Sequence, residues 1–305
     1  MTRSAVVLVV TLIGSHHVFA EQEARLDKGR ALMADIQAAL AQPAGQAGAS
    51  CVVSEPDVSP HRAHGTRAYD YKRELTLSNS VITYNLTYWM NTAGRDGSDP
   101  MAIEGGSGLG MNRPAAANWY SNNFLELSYG GEPILKTCLA RFTVVDSGGP
   151  VARATITWDT PAAQVLFTVE LAANAVSLGS RLQVVAKGEP QEVQVGYRAY
   201  PGHYPEPRDR RAATPLREVT APQSVALGTD EDRVVLFDEH DAQMACGLEF
   251  SRANPTETLL GLATYGVTVS LHYPAAPKVD CGPVRIWDFA GVSLNSAITQ
   301  VFEAP

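Results

Sequence analysis

The feature that most constrains the fold of this chain is an alternation of apolar and polar residues with a period of two. Successive side chains of a β-strand point to opposite faces, so this alternation predicts strands that are buried on one face. In residues 66–78 and again in residues 81–90, the apolar members of the alternation fall on a single face: Tyr69, Tyr71, Leu75 and Leu77 in the first run, and Ile82, Tyr84, Leu86, Tyr88 and Met90 in the second.

Runs of the same kind continue almost to the C-terminus, separated by turn-forming residues and without interleaved helical patterns. Many short strands in series are typical of an all-β sandwich or barrel. We predict a large, mostly antiparallel two-sheet β-sandwich, with LNSAITQVF (residues 294–302) as a closing helix. One amphipathic helix is predicted before the strands, on these apolar residues at helical spacing: Leu26, Met33, Ile36 and Leu40.

The N-terminus has the pattern of a secretory signal peptide. Arg3 precedes an apolar run from Ala5 to Ile13, and Val18 and Ala20 have the spacing that a signal peptidase recognises. We expect cleavage after Ala20 and a secreted or periplasmic protein. The predicted organisation is a signal peptide over 1–20, the N-terminal helix over 21–42, an irregular lead-in over 43–64, and the β-sandwich domain over 65–305.

Charge and motif content narrow the classes of partner. The formal net charge is −8 and no long basic stripe occurs, which argues against nucleic acid and against anionic membrane surfaces. Beyond the signal peptide, no apolar run is long enough to predict a membrane span. No metal-binding or cofactor-binding motif is recognisable, so neither a metal nor a cofactor is predicted.

The four cysteines allow two interpretations. They are Cys51, Cys138, Cys246 and Cys281, and their spacing contains no Cys-x-x-Cys pair. An even number in an exported chain permits one or two disulfides, with three possible pairings. Buried free thiols are the alternative.

The stretch VVDSGGP, residues 144–150, resembles the sequence around the nucleophile of trypsin-like serine proteases. The glycine of that motif is replaced by Val145, the histidine motif of the family is absent, and more than half of the chain follows Ser147. Asp, Ser and Gly also supply what a tight turn needs. We therefore predict a turn between two strands.

The first candidate site is an irregular segment over residues 104–123. Its glycines match neither a dinucleotide-binding nor a Walker pattern. Amides, a guanidinium and aromatic rings are groups that bind sugar hydroxyls and sugar C–H faces, so a glycan surface is one interpretation. The alternative is a loop that uses Asn and Gly for turns and buries Trp119 as an anchor. The candidate residues are Glu104, Asn112, Arg113, Trp119, Tyr120 and Asn122.

The second candidate site lies in a connection over residues 198–219, longer than most loops of compact domains. His203 and Glu206 are candidates for an acid and a base. Its arginines are suited to a carboxylate or sulfate of an acidic sugar. A solvated loop whose charges pair with one another is the alternative. The ligand-binding candidates here are Tyr200, Tyr204 and Arg208.

The chain resembles two groups of proteins. The residues Gly-Met-Asn-Arg-Pro (110–114) and Asn-Trp-Tyr (118–120) are similar to stretches in secreted bacterial β-sandwich proteins of unassigned function. In architecture, residues 65–292 resemble the galactose-mutarotase-like supersandwich of aldose epimerases and of domains in polysaccharide lyases and glycosidases. That resemblance implies carbohydrate chemistry, but the His and Glu used by mutarotases align with no motif here, and no catalytic residue carries over.

Two functional hypotheses follow. In the first, the protein is a carbohydrate-active enzyme of epimerase or lyase type, in which His203 and a carboxylate such as Glu206 or Glu104 exchange protons and Arg113 or Arg208 neutralises substrate charge. In the second, it is a non-catalytic module that binds a glycan or a protein at the cell surface through Trp119, Tyr120 and the asparagines. Interaction with a neutral or acidic carbohydrate is common to both.

Overall fold

The computed structural model describes residues 48–61, 68–98, 100–101, 108–115, 118–202, 208–220, 222–241 and 243–304. The predicted signal peptide and N-terminal helix lie outside these residues. Among the described helices, none is both long and apolar enough to cross a membrane.

The described residues form a series of mostly short strands. The first eleven are β1 (Ser50–Val53), β2 (Asp57–Pro60), β3 (Tyr69–Ser78), β4 (Thr83–Thr92), β5 (Pro100–Met101), β6 (Gly108–Arg113), β7 (Leu125–Tyr129), β8 (Glu132–Pro133), β9 (Arg141–Asp146), β10 (Val151–Asp159) and β11 (Ala163–Ala172). The others are β12 (Leu178–Ala186), β13 (Val193–Ala199), β14 (Arg210–Ala213), β15 (Glu218–Thr220), β16 (Gln223–Ala226), β17 (Arg233–Asp238), β18 (Cys246–Glu249), β19 (Glu257–Ala263), β20 (Gly266–Tyr273), β21 (Lys278–Asp280) and β22 (Val284–Asp288). The helices are a 3₁₀ turn (Ile134–Lys136) and α1 (Leu294–Phe302).

The strands form two sheets whose pairings, in the described part of the chain, are antiparallel. The larger sheet has the order β1-β3-β4-β6-β7-β13-β20-β19-β16, with β2, β5 and β8 paired at its margins. The smaller sheet has the order β15-β14-β17-β18-β22-β12-β11-β10-β9, with β21 on β12. The predicted all-β architecture of two mostly antiparallel sheets is confirmed.

The main core lies between the two sheets. Tyr88 of the larger sheet packs against Trp158 of the smaller one, with ring centroids 6.4 Å apart, and Phe124 packs against Phe167 at 6.3 Å. These residues are fully buried. Because one face of each strand is used for this core, the other face of each sheet is left for polar side chains or for a covering element.

Helix α1 is the covering element on part of the smaller sheet. Ser293 caps it by accepting a hydrogen bond from the Ser296 amide at 3.3 Å. Ala297 and Val301 are buried in a second apolar cluster with Phe237 and Trp287 of the sheet. The predicted closing helix is confirmed, and its apolar face explains why it stays on the sheet.

Two segments predicted to be irregular contain strands. Within 43–64, β1 and β2 pair with β3, so this lead-in extends the larger sheet. Within 104–123, β6 pairs with β4. The alternation of apolar and polar residues is not visible in β6, because glycines occupy one of its faces. Residues 121–122 cross directly over this face, and a Cβ on Gly110 would lie 1.8 Å from the Ser121 carbonyl oxygen.

The DSGGP stretch forms the turn between β9 and β10, as predicted. Ser147 Oγ accepts a hydrogen bond from the Cys51 amide at 2.8 Å and donates to the Cys51 carbonyl at 3.3 Å. Gly148 has φ = +84°, a conformation that favours glycine. The serine therefore holds β1 against the turn.

All four cysteines lie within the described residues and all are free thiols. Of the two interpretations of the cysteines, the structure therefore has the unpaired thiols, and disulfides are not confirmed. Cys51, Cys246 and Cys281 are buried, and burial raises the pKa of the Cys51 thiol to about 11. These side chains pack as small apolar groups.

Candidate functional site

The two candidate loops lie side by side where their residues are described. The Tyr200 amide donates a hydrogen bond to the Asn118 carbonyl at 2.6 Å, and the Tyr120 amide donates to the Arg198 carbonyl at 3.1 Å. Between them, Trp119 forms an isolated bridge with Ala199. The end of the first segment is thus joined to the start of the second at one end of β13.

Next to this junction, the outer face of the larger sheet carries polar residues. In β7 and β13 the apolar positions point into the core, so the alternate positions face outward, away from the smaller sheet. Gly196 of β13 lies opposite Glu126 of β7 and opposite Ser270 of β20. A Cβ on Gly196 would lie 3.3 Å from the Glu126 Cβ, so the glycine leaves room for this carboxylate.

Glu126 is the centre of a cluster of interacting groups. Its Oε1 accepts a hydrogen bond from Asn123 Nδ2 at 2.7 Å and one from the Arg198 guanidinium at 3.2 Å. The guanidinium carbon of Arg198 lies 4.3 Å from the centre of the Tyr120 ring. We call this cluster, Tyr120, Asn123, Glu126, Gly196 and Arg198, the Glu126 site.

Cavities flank Glu126 on both sides. One, of about 240 Å³, is lined by Asn123, Glu126 and Gly196 together with Ser270. Another, of about 460 Å³, is lined by Glu126, Arg198 and Tyr265. Tyr265 is 65% exposed. The site therefore offers a carboxylate, an amide, a guanidinium and aromatic surface to one ligand.

The structure brings several predicted residues to this region and places others elsewhere. Tyr120 belongs to the Glu126 site, and the Arg208 guanidinium carbon lies 4.7 Å from the centre of the Tyr265 ring beside it. Asn122 is in the segment that covers β6. Asn112 donates to Thr87 Oγ1 at 2.5 Å in a separate polar group on the outer face.

Of the remaining predicted residues, Arg113 is exposed at the end of β6 and takes no part in the Glu126 site. The three candidate acid–base residues and one ligand-binding candidate lie outside the described residues: Glu104, His203, Tyr204 and Glu206.

Two predicted ligand-binding rings are corrected by their burial. Trp119 is fully buried, and its Nε1 donates a hydrogen bond to the Trp287 carbonyl at 2.9 Å, so it joins the larger sheet to β22. Tyr200 is 3% exposed, and its ring packs edge-to-face against Tyr120 at 5.7 Å. Both rings support the site from below, and a ligand on the surface does not reach them.

The arginines of the second loop are mostly engaged with carboxylates. Arg210 is buried and pairs with Asp238 at 3.2 Å. Arg211 pairs with Asp209 at 2.7 Å and with Glu218 at 3.0 Å. The alternative interpretation of this stretch, charges that pair with one another, fits these two residues.

A buried polar group lies behind the junction of the loops. Asn118 Nδ2 donates to Asp288 Oδ1 at 2.9 Å, and Asn118 Oδ1 accepts from the Gly202 amide at 3.4 Å. Asp288 also accepts from the Ala115 amide at 3.3 Å. Burial raises the pKa of Asp288 to about 7, although these hydrogen bonds act in the opposite direction.

Sequence reasoning missed Glu126, Arg198 and Tyr265. Glu126 stands at a polar position of the alternating run FLELSY (residues 124–129), and Arg198 stands at one of EVQVGYRAY (residues 192–200). The alternation therefore predicts that both side chains point outward. That they meet depends on the pairing of β7 with β13, which are separated by five other strands along the chain. Alternation alone does not give that pairing.

No protein-family model matches this chain, and no curated protein is similar to it in sequence. Solved structures with a similar fold include a candidate aldose 1-epimerase from Klebsiella pneumoniae, 12% identical, with a TM-score of 0.47 over 83% of this chain and 90% of that chain. A galactose mutarotase-like protein from Lactobacillus casei is 8% identical, with a TM-score of 0.41 over 71% of this chain and 99% of that one.

A galactose mutarotase related enzyme from Lactobacillus acidophilus is 11% identical, with a TM-score of 0.34 over 72% of this chain and 98% of that chain. Galactose-mutarotase-like proteins, which the chain resembles in architecture, are among the solved structures that match. This likeness concerns the fold alone.

Proposed function

We propose that this protein is exported and binds a carbohydrate at the Glu126 site. The observation that carries the proposal is the position of the Glu126–Arg198 ion pair, next to the Tyr120 ring and between two cavities on the outer face of the larger sheet. The signal-peptide pattern at the N-terminus is the reason for proposing export.

The groups at the site suit the donors and acceptors of a sugar. Each sugar hydroxyl both donates and accepts, and Glu126 accepts while Arg198 donates. The hydrogen bonds that Glu126 accepts from Asn123 and Arg198 both use Oε1, and its Oε2 lies above Gly196, 3.5 Å from where a Cβ would be. A hydroxyl placed over Gly196 has a carboxylate oxygen to donate to.

Aromatic surface supplies the apolar part of the contact. The C–H face of a sugar ring packs on an aromatic ring, and Tyr265 is exposed at the rim of the larger flanking cavity. Cavities of a few hundred Å³ with a small number of placed polar groups are typical of small-molecule sites. We therefore favour a neutral mono- or disaccharide at this position.

Catalysis by this site depends on groups beyond the described residues. In the enzyme version of the proposal, His203, Glu206 and Glu104 supply an acid and a base to the bound sugar. In the alternative version the protein is a non-catalytic binding module, and the sugar leaves unchanged. Product analysis with a sugar that binds separates the two versions.

Thermal unfolding of the mature protein with a panel of neutral and acidic oligosaccharides tests the proposal. A ligand at 100 times its Kd stabilises the folded state by about 2.7 kcal/mol, which moves Tm by several degrees. We expect a shift with a neutral sugar, and a loss of affinity of about tenfold in Glu126→Gln, since this change removes a charged acceptor.

The matched control is Glu132→Gln, the same change at an exposed position of β8. It should leave sugar binding unaltered. The proposal fails if no sugar shifts Tm, or if Glu126→Gln binds the sugar as tightly as the wild type.

A further inference from the structure

The outer face of the smaller sheet carries a row of charged residues on strands that are paired in register. Across β10, β11, β12, β22, β18 and β17 the directly opposed residues are Arg153, Glu170, Gly179, Arg285, Glu249 and Arg233. The signs of charge alternate along this row except at Gly179. There the row has no side chain at all.

Neighbouring members of the row form ion pairs. Arg153 pairs with Glu170 at 3.1 Å, and Glu249 lies 3.4 Å from Arg285 and 3.7 Å from Arg233. A Cβ on Gly179 would lie 2.9 Å from the Glu170 Cγ, so this glycine makes room for the glutamate stem. The row is thus a set of cross-strand pairs with an opening at its centre.

Above the row lies a cleft of about 590 Å³, the size of a site for a small organic ligand. Its walls include Arg153, Arg181, Arg252 and Arg285 but only the two glutamates of the row. Arg153 and Arg181 have carboxylate partners in Glu170 and Asp280. Arg252 is exposed and makes no hydrogen bond or ion pair with any described residue.

The floor of the cleft holds a carboxylate oxygen that lacks a hydrogen-bond donor. Glu249 is 7% exposed, and its Oε1 accepts a hydrogen bond from Ser251 at 2.8 Å. Its Oε2 is buried without a hydrogen bond, the Arg285 nitrogen at 3.4 Å being in ion-pair contact only. Buried polar atoms are nearly always satisfied, and this oxygen has the capacity to accept a further hydrogen bond.

We propose that this cleft is a second binding site, for a small hydroxylated carboxylate with the chemistry of a uronic acid. A ligand hydroxyl donates to Glu249 Oε2, and the ligand carboxylate accepts hydrogen bonds from Arg252 and Arg285. A neutral sugar lacks the group for the arginines, and a simple dianion lacks the donor for Glu249. The site is on the opposite sheet from the Glu126 site and does not depend on it.

Titration calorimetry with digalacturonate tests this proposal, with the fully methyl-esterified disaccharide as the neutral comparison. Both titrations use the Glu126→Gln protein, so that binding of a neutral disaccharide at the Glu126 site is suppressed. We expect digalacturonate to bind this protein and the ester not to bind. Because Arg252 is exposed and has no protein partner, Arg252→Gln leaves the fold intact and weakens binding about tenfold, the effect of one charge-assisted hydrogen bond. Added salt weakens binding as well.

Arg95→Gln is the control, since Arg95 is an exposed arginine in the turn that follows β4 and lies outside the cleft. It should bind digalacturonate as the wild type does, and so should Glu126→Gln, which separates this site from the Glu126 site. The proposal is overturned if digalacturonate does not bind, if the ester binds equally well, or if Arg252→Gln binds with unchanged affinity.

Discussion

At the scale of single residues, Asp288 is a group whose protonation is coupled to folding in the neutral and mildly acidic pH range. Its pKa rises from 3.8 in its ordinary state to about 7 in the folded protein because the carboxyl is buried. The folded state therefore keeps a proton that the unfolded chain has already released. The free energy of unfolding falls as pH rises from about 4 to about 7, by up to a few kcal/mol from this residue.

The prediction is that Asp288→Asn, which is neutral at every pH, removes this part of the pH dependence. Urea denaturation between pH 4 and pH 8 measures it, as the slope of unfolding free energy against pH. Asp230→Asn, the same change on an exposed turn, should retain the wild-type slope. Parallel curves for wild type and Asp288→Asn would mean that Asp288 is not protonated in the folded state.

At the scale of elements, the segment that crosses β6 sets a requirement for glycine. The Ser121 carbonyl oxygen lies where a side chain at position 110 would begin, and backbone cannot move aside as a flexible side chain can. We predict that Gly110→Ala destabilises the protein by roughly 1–3 kcal/mol or more, as overpacking does. The segment also carries Asn123, so sugar binding at the Glu126 site should weaken in parallel.

Chemical denaturation of Gly110→Ala and Gly188→Ala makes the comparison. Position 188 has open space where a Cβ would be added, so alanine there is expected to be close to neutral. Equal stabilities of the two variants would show that residues 121–122 shift readily and do not constrain β6.

The strands were largely predictable from the sequence because burial on one face leaves a period of two. Long strands such as β10 and β11 show it clearly, since their buried and less buried residues alternate throughout. The strands β1 and β2 have four residues each and include prolines or polar residues, and β6 has glycines at its outward positions. Where one face of a strand is covered by backbone, the alternation of side chains disappears.

The site was less predictable than the strands. Loop composition directed attention to Trp119 and Tyr200, because aromatic residues in loops are candidates for ligand contact. Trp119 is buried through its contact with β22, and Tyr200 is buried against the Tyr120 ring. Each of these partners is distant in the sequence from the residue that it buries. Glu126 and Arg198, in contrast, stand in strands, and their meeting follows from sheet order.

At the scale of the whole molecule, Trp119 is a connection between the two sheets. It is fully buried, packs edge-to-face on Phe124 at 6.1 Å, and hydrogen-bonds to β22 through its indole nitrogen. Trp119→Ala should therefore lower the free energy of unfolding by about 3–5 kcal/mol. Any loss of ligand binding would follow from the loss of structure.

Trp119→Phe refines this prediction, because it keeps a ring but leaves the Trp287 carbonyl without its donor. We expect a loss of about 1–3 kcal/mol in that variant. Trp89→Ala, on the partly exposed outer face of β4, should cost less than Trp119→Ala in the same denaturation experiment. If the Trp119→Ala protein has wild-type stability, the structural role of Trp119 is contradicted, and the residue is again a candidate for ligand contact at the surface.

The reactivity of the unpaired thiols reports local opening of the fold. A thiol reacts as the thiolate, and burial raises the pKa of Cys246 and Cys281, so in the closed sandwich both are shielded and protonated. Cys51 belongs to an edge strand of the larger sheet, Cys246 to the interior of the smaller one, and Cys138 to the connection between the sheets. The order in which these sulfurs become reactive is therefore the order in which the parts of the sandwich separate.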